Sequence, residues 1–201
     1  MTTTSATPSL FLCKPGFQDI CAHELGRTGC AVAGVGPGVV SAVPAGGRLS
    51  PASNWCFPVW ALERPVAIPG ASVRENTSRL FEIFGAWAKG KTFEKPWPAV
   101  FIPSGAQGRD GPFAGVKKLW REMTRERMSR VAKLAMDETA LGWGVHEGFF
   151  AHWDGDAWRV SASAYYGGQV RMRDVPGAPS RSFLKIEEAF RVFGRAPGQG
   201  E

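Results

Sequence analysis

The most strongly basic stretch of the chain, residues 109–133, has the residue types that bind phosphate groups. Lys117, Arg121 and Arg125 are spaced by four, so on a helix they form one ridge, and Lys118 lies beside it. Cations at this spacing match the phosphates of a nucleic acid, and each phosphate neutralised releases condensed counterions. The alternative is an ordinary solvated helix face whose cations pair with neighbouring glutamates.

A second candidate binding segment is residues 165–173, which read Tyr-Tyr-Gly-Gly-Gln-Val-Arg-Met-Arg. On a loop loosened by glycine, the tyrosines could stack on bases while Arg171 and Arg173 hold phosphates. The alternative is the end of a hairpin with two tyrosines in the core.

The third segment is residues 178–190, Ala-Pro-Ser-Arg-Ser-Phe-Leu-Lys-Ile-Glu-Glu-Ala-Phe. Proline followed by serine favours a helix start. Phe183, Ile186 and Phe190 then fall at helical spacing and form an apolar stripe, and Lys185 points off that stripe. From pattern alone, this is a short amphipathic helix with a solvated lysine.

The amino-acid sequence of this predicted helix resembles a motif of an enzyme family. The run Ser-Arg-Ser-x-x-Lys-x-x-Glu at 180–188 resembles the linker helix of FtsJ/RlmE-type ribose 2′-O-methyltransferases. With Ala-Pro before it and Glu-Glu-Ala-Phe at its end, it is similar to the RlmM-like enzymes, which methylate a cytidine of large-subunit rRNA. Residues 12–25, Leu-Cys-Lys-Pro-Gly-Phe-Gln-Asp-Ile-Cys-Ala-His-Glu-Leu, are similar to the opening of the same family.

The resemblance implies a particular chemistry. In the family, a Lys-Asp-Lys-Glu tetrad prepares the ribose 2′-hydroxyl to attack the methyl group of S-adenosylmethionine; an ammonium group can lower the pKa of that hydroxyl. Lys185 matches the first lysine, and Arg181 of the same helix is a candidate RNA contact. The other three tetrad residues belong to a donor domain without a counterpart in these 201 residues. We therefore expect that the chain alone neither binds S-adenosylmethionine nor methylates RNA.

A glycine-rich segment at residues 34–38, Gly-Val-Gly-Pro-Gly, is the candidate for a cofactor loop. A loop that binds a methyl donor or a dinucleotide opens onto the first turn of a helix, and no helical pattern follows here. The segment is therefore predicted to be a turn between strands.

Hydrophobic periodicity predicts an α+β fold. Strands are expected at 9–13, 31–43, 55–66 and 97–103, and helices at 16–27, from a Ser72-x-x-Glu75 capping box to about 89, and at 113–134. A hairpin is expected at 147–165 around Asp154-Gly155-Asp156. On the first helix, Phe17, Ile20, Cys21 and Leu25 are predicted to share one apolar face.

The family resemblance divides these elements into domains. It implies a leader at 1–7, an N-terminal ferredoxin-like domain at 8–66, a THUMP-like α/β RNA-binding domain at 67–175, a C-terminal linker helix at 178–194 and a flexible end at 195–201. The composition boundary lies at 65–70, which is rich in proline and ends in glycine.

Composition narrows the function class. Net charge is +6 and the pI is about 9.4, which favours a polyanionic partner. No apolar run is long enough for a membrane helix and the start lacks a signal peptide, so we predict a cytoplasmic protein with no membrane partner. The four cysteines lack zinc-ligand spacing, and His23, His146 and His152 have no catalytic constellation beside them.

Three interpretations follow. The chain is the RNA-positioning part of an RlmM-like methyltransferase, with large-subunit rRNA as partner and the catalytic half truncated or encoded separately. Alternatively, it is a stand-alone, non-catalytic RNA-binding or interaction module of the same ancestry. The third interpretation is a basic α+β domain without an RNA role. Sequence leaves the oligomeric state open.

Overall fold

The computed structural model describes residues 7–50, 55–104 and 111–167. All of them belong to the first of two compact units, Met1–Gly168. Within these residues, nine strands form one mixed sheet and four helices accompany it. The α+β class predicted from periodicity is confirmed.

The first elements build one end of the sheet. They are β1 (Ser9–Leu12), α1 (Gln18–Arg27), β2 (Ala31–Gly36), β3 (Val39–Val43) and β4 (Trp60–Leu62). The strands lie in the order β2-β3-β1-β4, and every neighbouring pair is antiparallel. Because α1 connects β1 to β2 while β3 lies between them, this is a split β-α-β arrangement.

The remaining elements extend the sheet. They are β5 (Val66–Pro69), α2 (Val73–Ala88), β6 (Trp97–Ile102), α3 (Pro112–Arg127), α4 (Ser129–Lys133), β7 (Ala135–Met136), β8 (Gly144–Trp153) and β9 (Ala157–Tyr166). The order continues β4-β9-β8-β6-β7, and β6 runs parallel to both β7 and β8. One long strand, β9, pairs with β4 near its end and with β5 near its start.

An aromatic core joins α2 and α3 to this part of the sheet. Phe84 of α2 is fully buried, and the centroids of the Trp97, Trp120 and Phe149 rings lie 5.1 to 5.6 Å from its own. A second core holds α1 against β1 and β3 through Cys21 and Leu25, which are both fully buried. The first of these two cores, the aromatic one, therefore packs against one face of α3 and leaves the opposite face of that helix outward.

Two local predictions, the Ser72 half of the capping box and the hairpin turn at Asp154, are confirmed. Ser72 caps α2, and its Oγ accepts a hydrogen bond from the Glu75 backbone N–H at 3.2 Å. In the β8–β9 hairpin, Asp154 Oδ1 accepts from the backbone N–H groups of Asp156 and Ala157. Burial would raise the pKa of Asp154, but these bonds and the Arg159 guanidinium hold it below its ordinary value.

The long helix predicted over 113–134 is wrong as one element. It breaks at Met128, where φ is −140° and ψ is 53°, and resumes as the short α4. Trp97 explains the break, because its Nε1–H donates to the Val131 carbonyl and its backbone N–H donates to the Leu134 carbonyl. These contacts tie the second piece to β6, and tertiary contact overrides local helical preference.

Two other expectations need adjustment. Ile20 is 48% exposed, because the buried positions of α1 are Cys21 and Leu25, and Ile20 turns away from them. The extended stretch predicted over 55–66 is longer than the strand found there, which is β4. The chain turns after β4 at Arg64, whose φ is 46°. The composition boundary at 65–70 contains β5, while the division into domains stays a prediction.

Candidate nucleic-acid interface

Helix α3 positions the basic ridge, defined as Lys117, Arg121 and Arg125. Phe113, Val116, Trp120 and Thr124 are the buried residues of this helix, at spacings of three and four. Each ridge residue directly follows one of the last three of these buried residues in the sequence. The core contacts that bury the stripe therefore turn the ridge away from the core.

The ridge and Lys118 line one cavity, which we call the α3 cleft. Its volume is about 630 Å³, and its apolar floor includes Phe101 and Pro103 at the end of β6. Glu122 and Glu138 also line it. Four cations from one helix therefore converge on one concave surface.

The cations of the α3 cleft have no ion-pair partner within 4 Å among residues 7–50, 55–104 and 111–167. The ion pairs in those ranges lie elsewhere, such as Arg48–Glu63 at 3.1 Å and Arg159–Asp154 at 3.0 Å. The solvated-face alternative predicts ion pairs with neighbouring glutamates; none forms within 4 Å in the described ranges, although Glu122 and Glu138 line the same cleft. Unpaired positive charge in a concavity attracts anions.

The positive charges of the α3 cleft also act on the pKa of a nearby carboxylate, that of Asp137. Thr139 donates its hydroxyl to Asp137 Oδ1 at 2.6 Å, which lowers the pKa of Asp137 below its ordinary value, and Arg121 and Lys117 lower it further. Asp137 is thus held ionised by its own turn, and it contacts neither cation closely enough to neutralise it.

A smaller cavity adjoins the same arginines, and we call it the inner chamber. Its volume is about 230 Å³, and Trp120, Arg121, Arg125 and Asp137 are among the residues that line it. Sequence reasoning missed both Asp137 and this chamber. The local sequence has no signal for them, since the pairing of β7 with β6 brings residues 132–137 beside α3.

Four predicted site residues, Arg171, Arg173, Arg181 and Lys185, lie outside the described residues, as does the linker helix. Of the two tyrosines predicted beside them, Tyr165 is only 4% exposed and packs edge-on against Trp55 at 5.0 Å. Tyr165 is therefore a core residue of β9, which fits the alternative interpretation of that segment.

His152 is buried at the end of β8. Its Nδ1 lies 3.1 Å from the Ile102 carbonyl, so Nδ1 carries the proton that it donates. Burial lowers the pKa of His152 below its ordinary value. His146 lies 2.8 Å from the Gly142 carbonyl through Nε2. No group of three or more histidine, cysteine, aspartate or glutamate side chains in the described ranges could hold a metal ion.

The glycine-rich segment forms a hairpin between β2 and β3, with the turn at Pro37-Gly38 and a φ of 71° at Gly38. A methyl-donor loop needs a helix N-terminus after it. The described residues at 34–38 therefore do not fit S-adenosylmethionine.

Three of the cysteines, Cys13, Cys21 and Cys30, are buried thiols, and Cys56 is exposed. A hydrogen bond between Cys13 and Cys21 lowers the pKa of Cys13 and raises that of Cys21. In the part of the chain that the structure describes, no helix has the length and apolar character to cross a membrane.

Comparisons with known proteins give structural likenesses only. No protein-family model matches the chain, and no curated protein matches it. The chain is similar to a possible methylase from Clostridium difficile 630, with 15% identity, a TM-score of 0.47 and coverage of 96% of this chain and 49% of that one. It is also similar to a predicted N6-adenine-specific DNA methylase from Listeria monocytogenes str. 4b F2365, with 15% identity, a TM-score of 0.42 and coverage of 92% and 48%.

A third similar structure is SMU.472, a methyltransferase candidate complexed with SAH, with 15% identity, a TM-score of 0.40 and coverage of 89% of this chain and 46% of that one. The chain thus spans about half the length of each of these three proteins. The activity of the longer proteins is a property of those proteins.

Proposed function

We propose that this chain is the RNA-binding, substrate-positioning portion of an S-adenosylmethionine-dependent rRNA ribose 2′-O-methyltransferase that acts on a cytidine of large-subunit rRNA. The observation that carries the RNA role is the α3 cleft, where four cations of one helix converge beside Glu122 and Glu138 and form no ion pair within 4 Å in the described ranges. The methyltransferase assignment rests on the resemblance of residues 12–25 and 180–188.

The strand order supports the domain organisation of this proposal. An antiparallel order β2-β3-β1-β4 with a helix between β1 and β2 is that of a ferredoxin-like domain, proposed for residues 8–66. A short 3₁₀ turn, Ala45–Gly47, stands where the second helix of that fold would be. The α3 cleft then falls within residues 67–175, the proposed THUMP-like domain.

The catalytic part of the reaction is assigned elsewhere. S-adenosylmethionine supplies the methyl group in this chemistry, and the glycine-rich residues 34–38, which form a turn between two strands, do not fit it. We assign to this chain the task of binding and orienting RNA, and to Lys185 the place of one tetrad lysine. The donor site belongs to a further domain or a separate methyltransferase half.

A charge-reversal experiment tests the RNA role. In the ridge variant, Lys117, Arg121 and Arg125 are each changed to Glu; in the control variant, the exposed Arg27, Arg74 and Lys89 are each changed to Glu, so that both lose the same net charge. With large-subunit rRNA fragments in a filter-binding assay, we expect the ridge variant to lose at least about tenfold more affinity than the control.

Equal losses in the two variants would mean that net charge, rather than the α3 cleft, determines binding. A second experiment measures methyl transfer to rRNA by the chain alone and after addition of a methyltransferase half of the family. Methyl transfer by the chain alone would contradict the proposal that the donor site lies elsewhere.

The alternative is a stand-alone, non-catalytic RNA-binding module of the same ancestry. The α3 cleft supports it equally, since the cleft needs no donor domain to bind RNA. The two proposals differ in the effect of an added methyltransferase half: a positioning portion raises methyl transfer to rRNA, whereas a stand-alone module leaves it unchanged.

A further inference from the structure

The lining of the α3 cleft is mixed rather than purely cationic. Besides its four cations, the wall includes two carboxylates and two accessible apolar side chains, namely Glu122, Glu138, Pro103 and Ala114. An RNA duplex is bound mainly through its phosphates and 2′-hydroxyls, and its major groove is too narrow for side chains to read the bases. Carboxylates repel phosphates, so the acidic and apolar parts of this wall match unpaired bases better than they match a duplex.

The ridge is a single line of charge. Its three residues are four apart on one helix, so they span about 12 Å along the axis of α3. Domains that bind duplex RNA contact two successive minor grooves and the phosphates between them, which requires cations on more than one line. One line of cations inside a cavity of about 630 Å³ is suited instead to the backbone of one strand.

Glu122 supplies an acceptor in this cleft. It directly follows Arg121 of the ridge and is partly exposed. Its carboxylate has no hydrogen-bond or ion-pair partner between residues 7 and 167 wherever the structure describes them. Glu138 is less suited to a ligand, since its Oε2 atom is buried. Both oxygens of Glu122 are therefore available to accept hydrogen bonds from a bound strand.

A carboxylate beside a phosphate-binding ridge selects bases by their donors. Cytosine, adenine and guanine each carry an exocyclic amino group, and carboxylates accept hydrogen bonds from such groups, as from cytosine N4. Uracil has no amino group, and its one N–H stands between two carbonyl oxygens that repel a carboxylate. Because these edges are free only where the bases are unpaired, Glu122 also favours a single strand.

We propose that the α3 cleft binds single-stranded RNA, with the phosphates along the ridge and the amino group of a cytosine, adenine or guanine base donating to Glu122. The inference rests on the proposed RNA role, and it names the form of RNA and the bases that the site accepts. Pro103 and Ala114 then form the wall against which the base and its ribose pack.

The test measures the Kd of the full chain by fluorescence anisotropy for four RNAs at one salt concentration. They are a mixed-sequence dodecamer, the same dodecamer paired with its complement, a dodecamer of cytidine and a dodecamer of uridine. We expect the single strand to bind at least about tenfold more tightly than the duplex. The cytidine dodecamer should bind about tenfold more tightly than the uridine dodecamer, as one charge-assisted hydrogen bond would give.

Glu122→Gln tests the acceptor, and Glu126→Gln is its matched control. Both variants remove one negative charge from α3, but Glu126 lines neither the α3 cleft nor the inner chamber. We expect Glu122→Gln to reduce the preference for cytidine over uridine to about twofold or less, because an amide can donate to uracil O4 as well as accept from cytosine N4. Glu126→Gln should keep the preference of the wild type.

Three results would overturn the proposal. They are duplex binding as tight as that of the single strand, equal binding of the cytidine and uridine dodecamers, and a Glu122→Gln variant that loses no more of the preference than Glu126→Gln does. If the RNAs bind without discrimination and the ridge variant loses that binding, the inference fails and the RNA role stands. No binding of any of the four RNAs would refute both.

Discussion

Adding one methyl group at Gly148 should destabilise the fold by about 1–3 kcal/mol, the usual cost of overpacking a well-packed interior. Gly148 lies in β8 where the register with β9 shifts. A Cβ atom there would come 2.6 Å from the Pro98 carbonyl oxygen and 2.8 Å from the Pro98 Cβ. Both atoms belong to Pro98 of β6, one to its backbone and one to its ring, so the clash cannot be relieved by rotating a flexible side chain.

Gly85→Ala provides the control. Gly85 lies inside α2, and a Cβ there would have no atom of another element within 4 Å. Alanine is the better helix former by about 1 kcal/mol, so this variant should be neutral or more stable than the wild type. The same glycine-to-alanine change is thus expected to lower the free energy of unfolding at Gly148 and to leave it unchanged or raise it at Gly85.

Urea denaturation followed by tryptophan fluorescence measures both free energies of unfolding. In a domain of this size, a loss of 1 kcal/mol lowers the melting temperature by about 2–4 °C, so thermal unfolding provides a second readout. A Gly148→Ala variant as stable as the wild type would refute the close packing of β8 on β6 described here.

Two further predictions concern stability. Ser72→Ala should cost about 1 kcal/mol, because the Glu75 N–H at the start of α2 loses its acceptor, and Ser72→Asp should retain the stability in the same urea assay. Since burial lowers the pKa of His152, the unfolded chain takes up a proton near pH 6.5 while the fold resists it. The free energy of unfolding should therefore be fully retained above about pH 6.5 and fall as the pH drops below it, and His152→Phe should reduce that fall; an unchanged pH profile would contradict this burial.

Local patterns predicted the elements whose signals lie within a few residues. The Ser72 cap depends on Glu75 three residues later, and the β8–β9 hairpin depends on the Asp154 side chain and the glycine after it. The basic ridge could also be predicted, since helical spacing alone decides which residues share a face.

The parts that could not be predicted depend on contacts between distant residues. The break at Met128 follows from hydrogen bonds between Trp97 and residues 131–134, which a helical pattern does not reveal. Likewise, nothing near Asp137 in the sequence indicates that it lies beside α3. The stacking of Trp120 of α3 on Phe149 of β8 also joins residues that are far apart in the sequence.

The salt dependence of RNA binding tests the central claim most directly. The slope of the logarithm of the affinity against the logarithm of the salt concentration counts the phosphates neutralised, at about 0.7 per contact for single strands and 0.9 for duplexes. Reversing Lys117, Arg121 and Arg125 should flatten this slope by about 2 to 3, whereas the control variant should shift it much less. Equal slopes for the wild type and the ridge variant would contradict the assignment of the α3 cleft as the phosphate-binding surface.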